Sequence, residues 1–148
     1  MDIEKIISVS LLTPMGDPKE TDCIWGMPLL LWGSPGIGKS DRVYASSKAV
    51  GLPCEPVFPA TRQPEDFSGV PVPVGTEGDV VIACILGAVN KLQKAGRGVL
   101  FLDEISCARP AVQSSLLSVA RDRRVGDTML NPKIRILAAA NPPEEVAA

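Results

Sequence analysis

The feature that most narrows the possible folds is the segment Gly33-Ser34-Pro35-Gly36-Ile37-Gly38-Lys39-Ser40. It follows a wholly apolar run, Pro28 to Trp32, and leads into a helical pattern from Ser40 to Val50 that Gly51 stops. A short apolar run bounded by turn residues reads as a strand buried on both faces. Strand, glycine-rich turn and helix, in that order, make an anion cradle. The glycines let the backbone wrap closely enough for its N–H groups to point inward at phosphate oxygens. The helix presents its positive N-terminal end to the same anion. Gly33, Ser34, Pro35, Gly36, Ile37 and Gly38 form the wrap. Lys39 then reaches the β- and γ-phosphates, and the Ser40 hydroxyl binds Mg²⁺.

Two later apolar runs end in polar groups. Val99 to Leu102 is followed by Asp103-Glu104. Ligands of open α/β sheets bind at the carboxyl ends of strands, which is where this pair falls. Asp103 is expected to hold Mg²⁺ through its water shell, and Glu104 to polarise an attacking water as general base. Ile136 to Ala140 ends at Asn141. Its carboxamide suits a γ-phosphate and a lytic water. The residues alone equally allow an asparagine that opens a turn before Pro142.

The rest of the chain alternates in the same way. Ile3 to Leu12 is apolar and its periodicity does not choose between helix and strand. Glu55 to Phe58 reads as a second strand. Pro59 to Gly78, rich in proline and glycine, reads as a long loop with a short extended or hairpin portion. Arg62 to Val81 is expected to be the least regular or most mobile part of the domain. Ile82, Ile85, Leu86, Val89 and Leu92 recur at helical spacing, with Gly96 as the cap. Pro110 suits the first turn of a helix running to about Arg121. Val125 to Leu130, with Gly126-Asp127 inside, suits a small hairpin. The expectation is an α/β fold, a parallel sheet with helices on both faces, in a single domain over 1–148.

Composition removes other classes. A chain of 148 residues supports one domain, and 45% hydrophobic with 22% charged residues is ordinary for a soluble globular protein. A net charge of -2 creates no field that marks a nucleic-acid binder. The apolar runs are too short to span a bilayer, and the acidic start is wrong for a secretory signal. Cys23, Cys54, Cys84 and Cys107 form no C-x-x-C pair, and the chain has no histidine. Zinc-ligand patterns and Ser-His-Asp or Cys-His nucleophile sites are therefore absent. Scattered cysteines of this kind are expected as reduced thiols in a cytoplasmic protein.

With Gly33 to Ser40, Asp103-Glu104 and Asn141 in this order, the chain resembles AAA+ ATPases, a group of P-loop NTPases. The three features would be the Walker A motif, the Walker B motif and the sensor-one asparagine. More specifically the chain is similar to the MoxR branch. The similarity runs through Leu29 to Ser40, Gln63-Pro64-Glu65-Asp66-Phe67-Ser68-Gly69-Val70-Pro71, Leu102 to Ile105 with Pro110 to Gln113, Arg123 to Asp127, and Ala140-Asn141-Pro142. The resemblance implies ATP binding and Mg²⁺-dependent hydrolysis. It also implies a homo-oligomeric ring that remodels partners, often proteins with a von Willebrand factor A domain.

The chain departs from the branch in two places. After Asp103-Glu104 the branch usually continues Asn-Arg-Ala-Pro-Pro, whereas here Ser106-Cys107-Ala108-Arg109-Pro110 follows, leaving Arg109 as substitute for the branch arginine. The arginine finger, fifth strand and helical lid that follow sensor-one in the branch are missing from these residues, so the chain is expected to be C-terminally incomplete. Leu29 to Trp32 should then be an edge strand that self-associates unless Ile3 to Leu12 covers it, and hydrolysis by this chain should be weak. Two rivals share the same loop: a nucleotide-binding module with little or no hydrolysis, and a small-molecule phosphotransferase.

Overall fold

The computed structural model describes residues 2–146. Helix α1 (Ile3–Leu12) resolves the ambiguity of the first apolar segment. The Asp2 carboxylate caps it by accepting the Glu4 N–H at 3.1 Å, and Ile7, Ser10 and Leu11 form its buried stripe. Strand β1 (Leu29–Trp32) leads through the glycine-rich loop into α2 (Lys39–Ala49), and β2 (Cys54–Val57) follows. Next come a short helix α3 (Pro64–Ser68), a hairpin of β3 (Val70–Val74) and β4 (Asp79–Ala83), and helix α4 (Gly87–Ala95). The chain continues with β5 (Gly98–Leu102), α5 (Pro110–Asp122), a two-strand turn of β6 (Arg124–Val125) and β7 (Thr128–Met129), β8 (Ile134–Ala140) and α6 (Pro143–Val146).

Four strands pair in parallel in the order β1-β8-β5-β2. Alternate residues of β5 and β8 feed two cores, one on each face. Val99, Phe101, Leu137 and Ala139 pack with Ile7 and Leu11 of α1 and Val43 of α2. Leu100, Leu102, Ile134 and Ile136 pack with Val89 and Leu92 of α4 and Val112, Leu116 and Val119 of α5. Every residue of β5 is buried, as a central strand of a doubly covered sheet requires. The expected α/β fold, with helices on both faces, is the one observed. Arg135 of β8 ties α1 down: its Nε donates to the Leu11 carbonyl at 2.9 Å and its guanidinium lies 5.7 Å from the centroid of the Trp25 ring.

Three expectations are corrected. First, β1 is not buried on both faces: Leu29 and Leu31 pack against the core, but Leu30 is 49% and Trp32 58% exposed. Among the described residues β1 pairs only with β8, so it is an edge strand. Helix α1 packs on one face of the sheet and leaves those two side chains uncovered. Second, the segment expected to be the least regular carries α3, and the short hairpin expected there runs to five rungs. Gln63 and Asp66 close a capping box at the start of α3. Third, the helix expected from Ile82 begins only at Gly87. Ile82 lies in β4, where its N–H donates to the Asp127 carboxylate at 2.8 Å and its carbonyl accepts from the Asp127 N–H at 2.9 Å. These bonds from the β6-β7 turn hold the segment extended against its apolar periodicity.

Candidate active site

Parallel pairing brings the carboxyl ends of β1, β5 and β8 to one rim of the sheet. The loop after β1 starts there, its Gly33 N–H donating to the Ala140 carbonyl of β8 at 3.3 Å. Gly36 and Gly38 both have φ near 80°. A Cβ at either would meet nothing within 4 Å, so glycine is needed there for backbone conformation and not for room. Gly38 is the N-cap of α2 and, being glycine, brings no side chain to cap the helix's first N–H groups. This helix end is open to an anion.

Lys39 crosses back over the loop. Its ammonium donates to the carbonyls of Gly33 at 2.6 Å and Ser34 at 2.8 Å, and to the Asn141 side-chain oxygen at 2.8 Å. An ammonium has three donors, so all are engaged. A further acceptor would reach this ammonium only by displacing one of the three.

Ser40 donates its hydroxyl to Asp103 Oδ2 at 2.6 Å. Asp103 is 6% exposed and its N–H is held by the Val57 carbonyl at 2.9 Å, which fixes the carboxylate at the end of β5. A hydroxyl and a buried carboxylate side by side are the hard oxygen donors that suit Mg²⁺. That ion keeps most of its waters and uses only one or two protein carboxylates. The residues present therefore fit the ion.

Glu104 departs from the strand with φ 55° and ψ 41°, a left-handed conformation that a side chain rarely adopts. The kink ends β5, and the Glu104 side chain is exposed at the rim. Such strain costs on the order of 1–3 kcal/mol and concentrates at functional sites. Asn141, 6% exposed, faces Lys39 from the end of β8, and its backbone N–H donates to Ser106 Oγ at 2.9 Å.

These groups line a pocket of about 290 Å³: Pro35, Gly36, Gly38, Lys39, Ser40, Asp41, Asp103, Glu104 and Asn141. Of the residues expected from sequence, Gly33 and Ser34 contribute carbonyls to Lys39, and Ile37 turns its side chain back over Gly33. Neither they nor Ile37 line the pocket. Arg109 is the exposed N-cap of α5 and is not among the lining residues. Sequence reasoning missed Asp41, whose signal is an acid in the first turn of α2, and Ser106, which carries no motif signal. A larger groove of about 890 Å³ lies between β1, β8 and α5, but its walls are mostly apolar, with Ser106, Gln113 and Ser114 as polar members, and it holds none of the convergent charges.

A parallel sheet with an anion-cradling loop after one edge strand, and carboxylate and carboxamide groups on the adjacent strand ends, defines a P-loop nucleotide-binding domain. The family model of the AAA domain, dynein-related subfamily, matches residues 28–148, and the chain belongs to that family. Comparison with curated proteins returns no match. No helix among the described residues is long and apolar enough to cross a membrane.

Proposed function

We propose that this chain is the nucleotide-binding core of a MoxR-type AAA+ ATPase that binds ATP with Mg²⁺ and hydrolyses it to drive protein remodelling. The observation that carries the proposal is the convergence of Lys39, Ser40, Asp103, Glu104 and Asn141 in one pocket, drawn from three strand ends far apart in sequence. The loop backbone and the open end of α2 bind the phosphates, and Lys39 adds a full charge to them. Ser40 and Asp103 would hold the ion, which when bound neutralises charge on the phosphate oxygens. Glu104 takes the proton of the attacking water and Asn141 orients it.

The MoxR assignment draws on the segment Gln63 to Pro71, which forms α3 and opens the β3-β4 hairpin. The same resemblance extends the proposal to a homo-oligomeric ring acting on a partner with a von Willebrand factor A domain. Phosphate release from Mg²⁺·ATP tests the reading at its root. Release by the wild type, lost in Glu104→Gln with binding retained, supports it. Transfer of phosphate to a small-molecule acceptor without release would replace it with a phosphotransferase.

A further inference from the structure

We infer that Ser106 is a positioning residue that holds Asn141 and Glu104 in one frame, an inference that rests on the proposed roles of those two residues. The Lys133 carbonyl accepts from Gly98 of β5, whereas the Ala140 carbonyl accepts from Gly33 after β1. Backbone groups alternate sides along a strand, so Asn141, like Lys133, turns its N–H toward β5. No rung of β5 is there to meet it. The β5-β8 pairing ends at Leu102 and Ala138, and Glu104 breaks the strand with a left-handed turn. The Ser106 hydroxyl, in the 3-10 turn Ile105–Cys107, takes the place of the missing carbonyl at 2.9 Å.

That bond ties together two neighbouring elements beyond the last rung of the β5-β8 ladder. One is the kink that carries Glu104, two residues before Ser106. The other is the strand end that carries Asn141, whose side chain holds Lys39 at 2.8 Å. Ser106 is not among the pocket's lining residues, so it acts on the site only through Asn141 and Glu104. Its loss should relax the spacing between base and carboxamide while leaving the loop, Lys39, Ser40 and Asp103 to bind as before. Misplacement of a reacting group by about 1 Å costs on the order of 10²-fold in rate.

The test compares wild type, Ser106→Ala and Ser106→Thr, the last retaining the hydroxyl. Hydrogen exchange at the Asn141 backbone amide is read first, because it requires no turnover. In Ser106→Ala this amide should exchange at least about tenfold faster, a buried donor having lost its acceptor. The kcat for ATP should fall roughly 10- to 100-fold, with KM and Mg²⁺·ADP affinity within about twofold of wild type, and threonine should restore both readouts. Unchanged exchange at Asn141 overturns the inference. So does lost protection with kcat intact, or a fall in kcat that threonine does not reverse. If wild type binds ATP but releases no phosphate, the proposed hydrolysis fails separately. The Asn141 side-chain amide resonance then decides: a Mg²⁺·ATP-induced shift present in wild type and abolished in Ser106→Ala sustains the coupling, and equal shifts end it.

Discussion

At the residue scale, Lys39 is the group whose loss is simplest to interpret. It brings the full positive charge to the phosphates, and hydrogen bonds to charged groups are worth ~1.5–3 kcal/mol. Lys39→Ala should weaken Mg²⁺·ATP binding by roughly 10- to 150-fold on that basis, measured by calorimetry. Equal affinity in the variant would remove the basis for the phosphate site. Glu104→Gln keeps the shape and the left-handed backbone but removes the base. Turnover should drop by about 10²-fold or more while affinity stays within a factor of a few. The cysteines offer a separate check on local burial. Burial pushes the Cys54 thiol up to about 11, against a smaller opposing contribution from Ser47, whereas Cys107 is exposed. At pH 8, iodoacetamide should modify Cys107 well before Cys54, and the Cys54 rate should climb with pH until its thiol titrates near 11. Because the unfolded thiol ionises at a lower pH than the folded one, this group subtracts stability as pH rises through that interval. Modification of Cys54 at the same rate as Cys107 would show that β2 is not seated as described.

At the element scale, the informative piece is the β3-β4 hairpin. Gly69, with φ 87°, lets the chain turn from α3 into β3 where it lies against Ile82 and Gly126. A Cβ there would come within 2.5 Å of the Ile82 side chain and 2.7 Å of the Gly126 backbone. Gly69→Ala should therefore undock the hairpin from the β6-β7 turn and raise proteolytic cleavage between Val70 and Ala83, with the sheet retained. Unaltered cleavage would mean that the contact with Gly126 does not hold the hairpin. This region also shows where sequence reading stopped. The strands β5 and β8, helices α2 and α5 and most residues lining the polar pocket, Asp41 excepted, were legible, because each is set by local patterning: apolar runs, glycines, prolines and strand-end polar groups. Helix α3, the reach of the hairpin to Ala83 and the start of α4 were not. Ile82 follows the helical period of Leu86 and Val89, but bonds to Asp127, 45 residues away, select a strand. Ser106 escaped notice for the same reason, since its partner Asn141 lies 35 residues on.

At the scale of the whole molecule, the open flank of the sheet governs behaviour in solution. The Gly33 N–H points to Ala140, so by alternation the backbone groups of Leu30 and Trp32 point outward, away from β8. No described backbone group bonds to them in return. Their side chains border the apolar groove, with Leu117 of α5 exposed on its far wall. Magnitudes decide what this edge does. Two outward residues pairing antiparallel with a second copy form about four hydrogen bonds, each worth ~0.5–1.5 kcal/mol net. Association costs ~4–15 kcal/mol in lost freedom, so the bonds alone do not suffice. Burial of Leu30 and Trp32 adds roughly 1.5–3 kcal/mol for each side chain, which brings the balance close to even. This 148-residue chain should accordingly associate weakly and with strong dependence on concentration. Sedimentation velocity over a concentration series should show reversible mass increase in wild type. Leu30→Lys removes apolar area and places a charge on the edge, the means by which natural sheets prevent such pairing, and should return the chain to monomer. Mg²⁺·ATP affinity should be unchanged, since Leu30 lies outside the polar pocket. A wild type that stays monomeric at every concentration, or a lysine variant that associates equally well, would show that this flank is not the sticking surface.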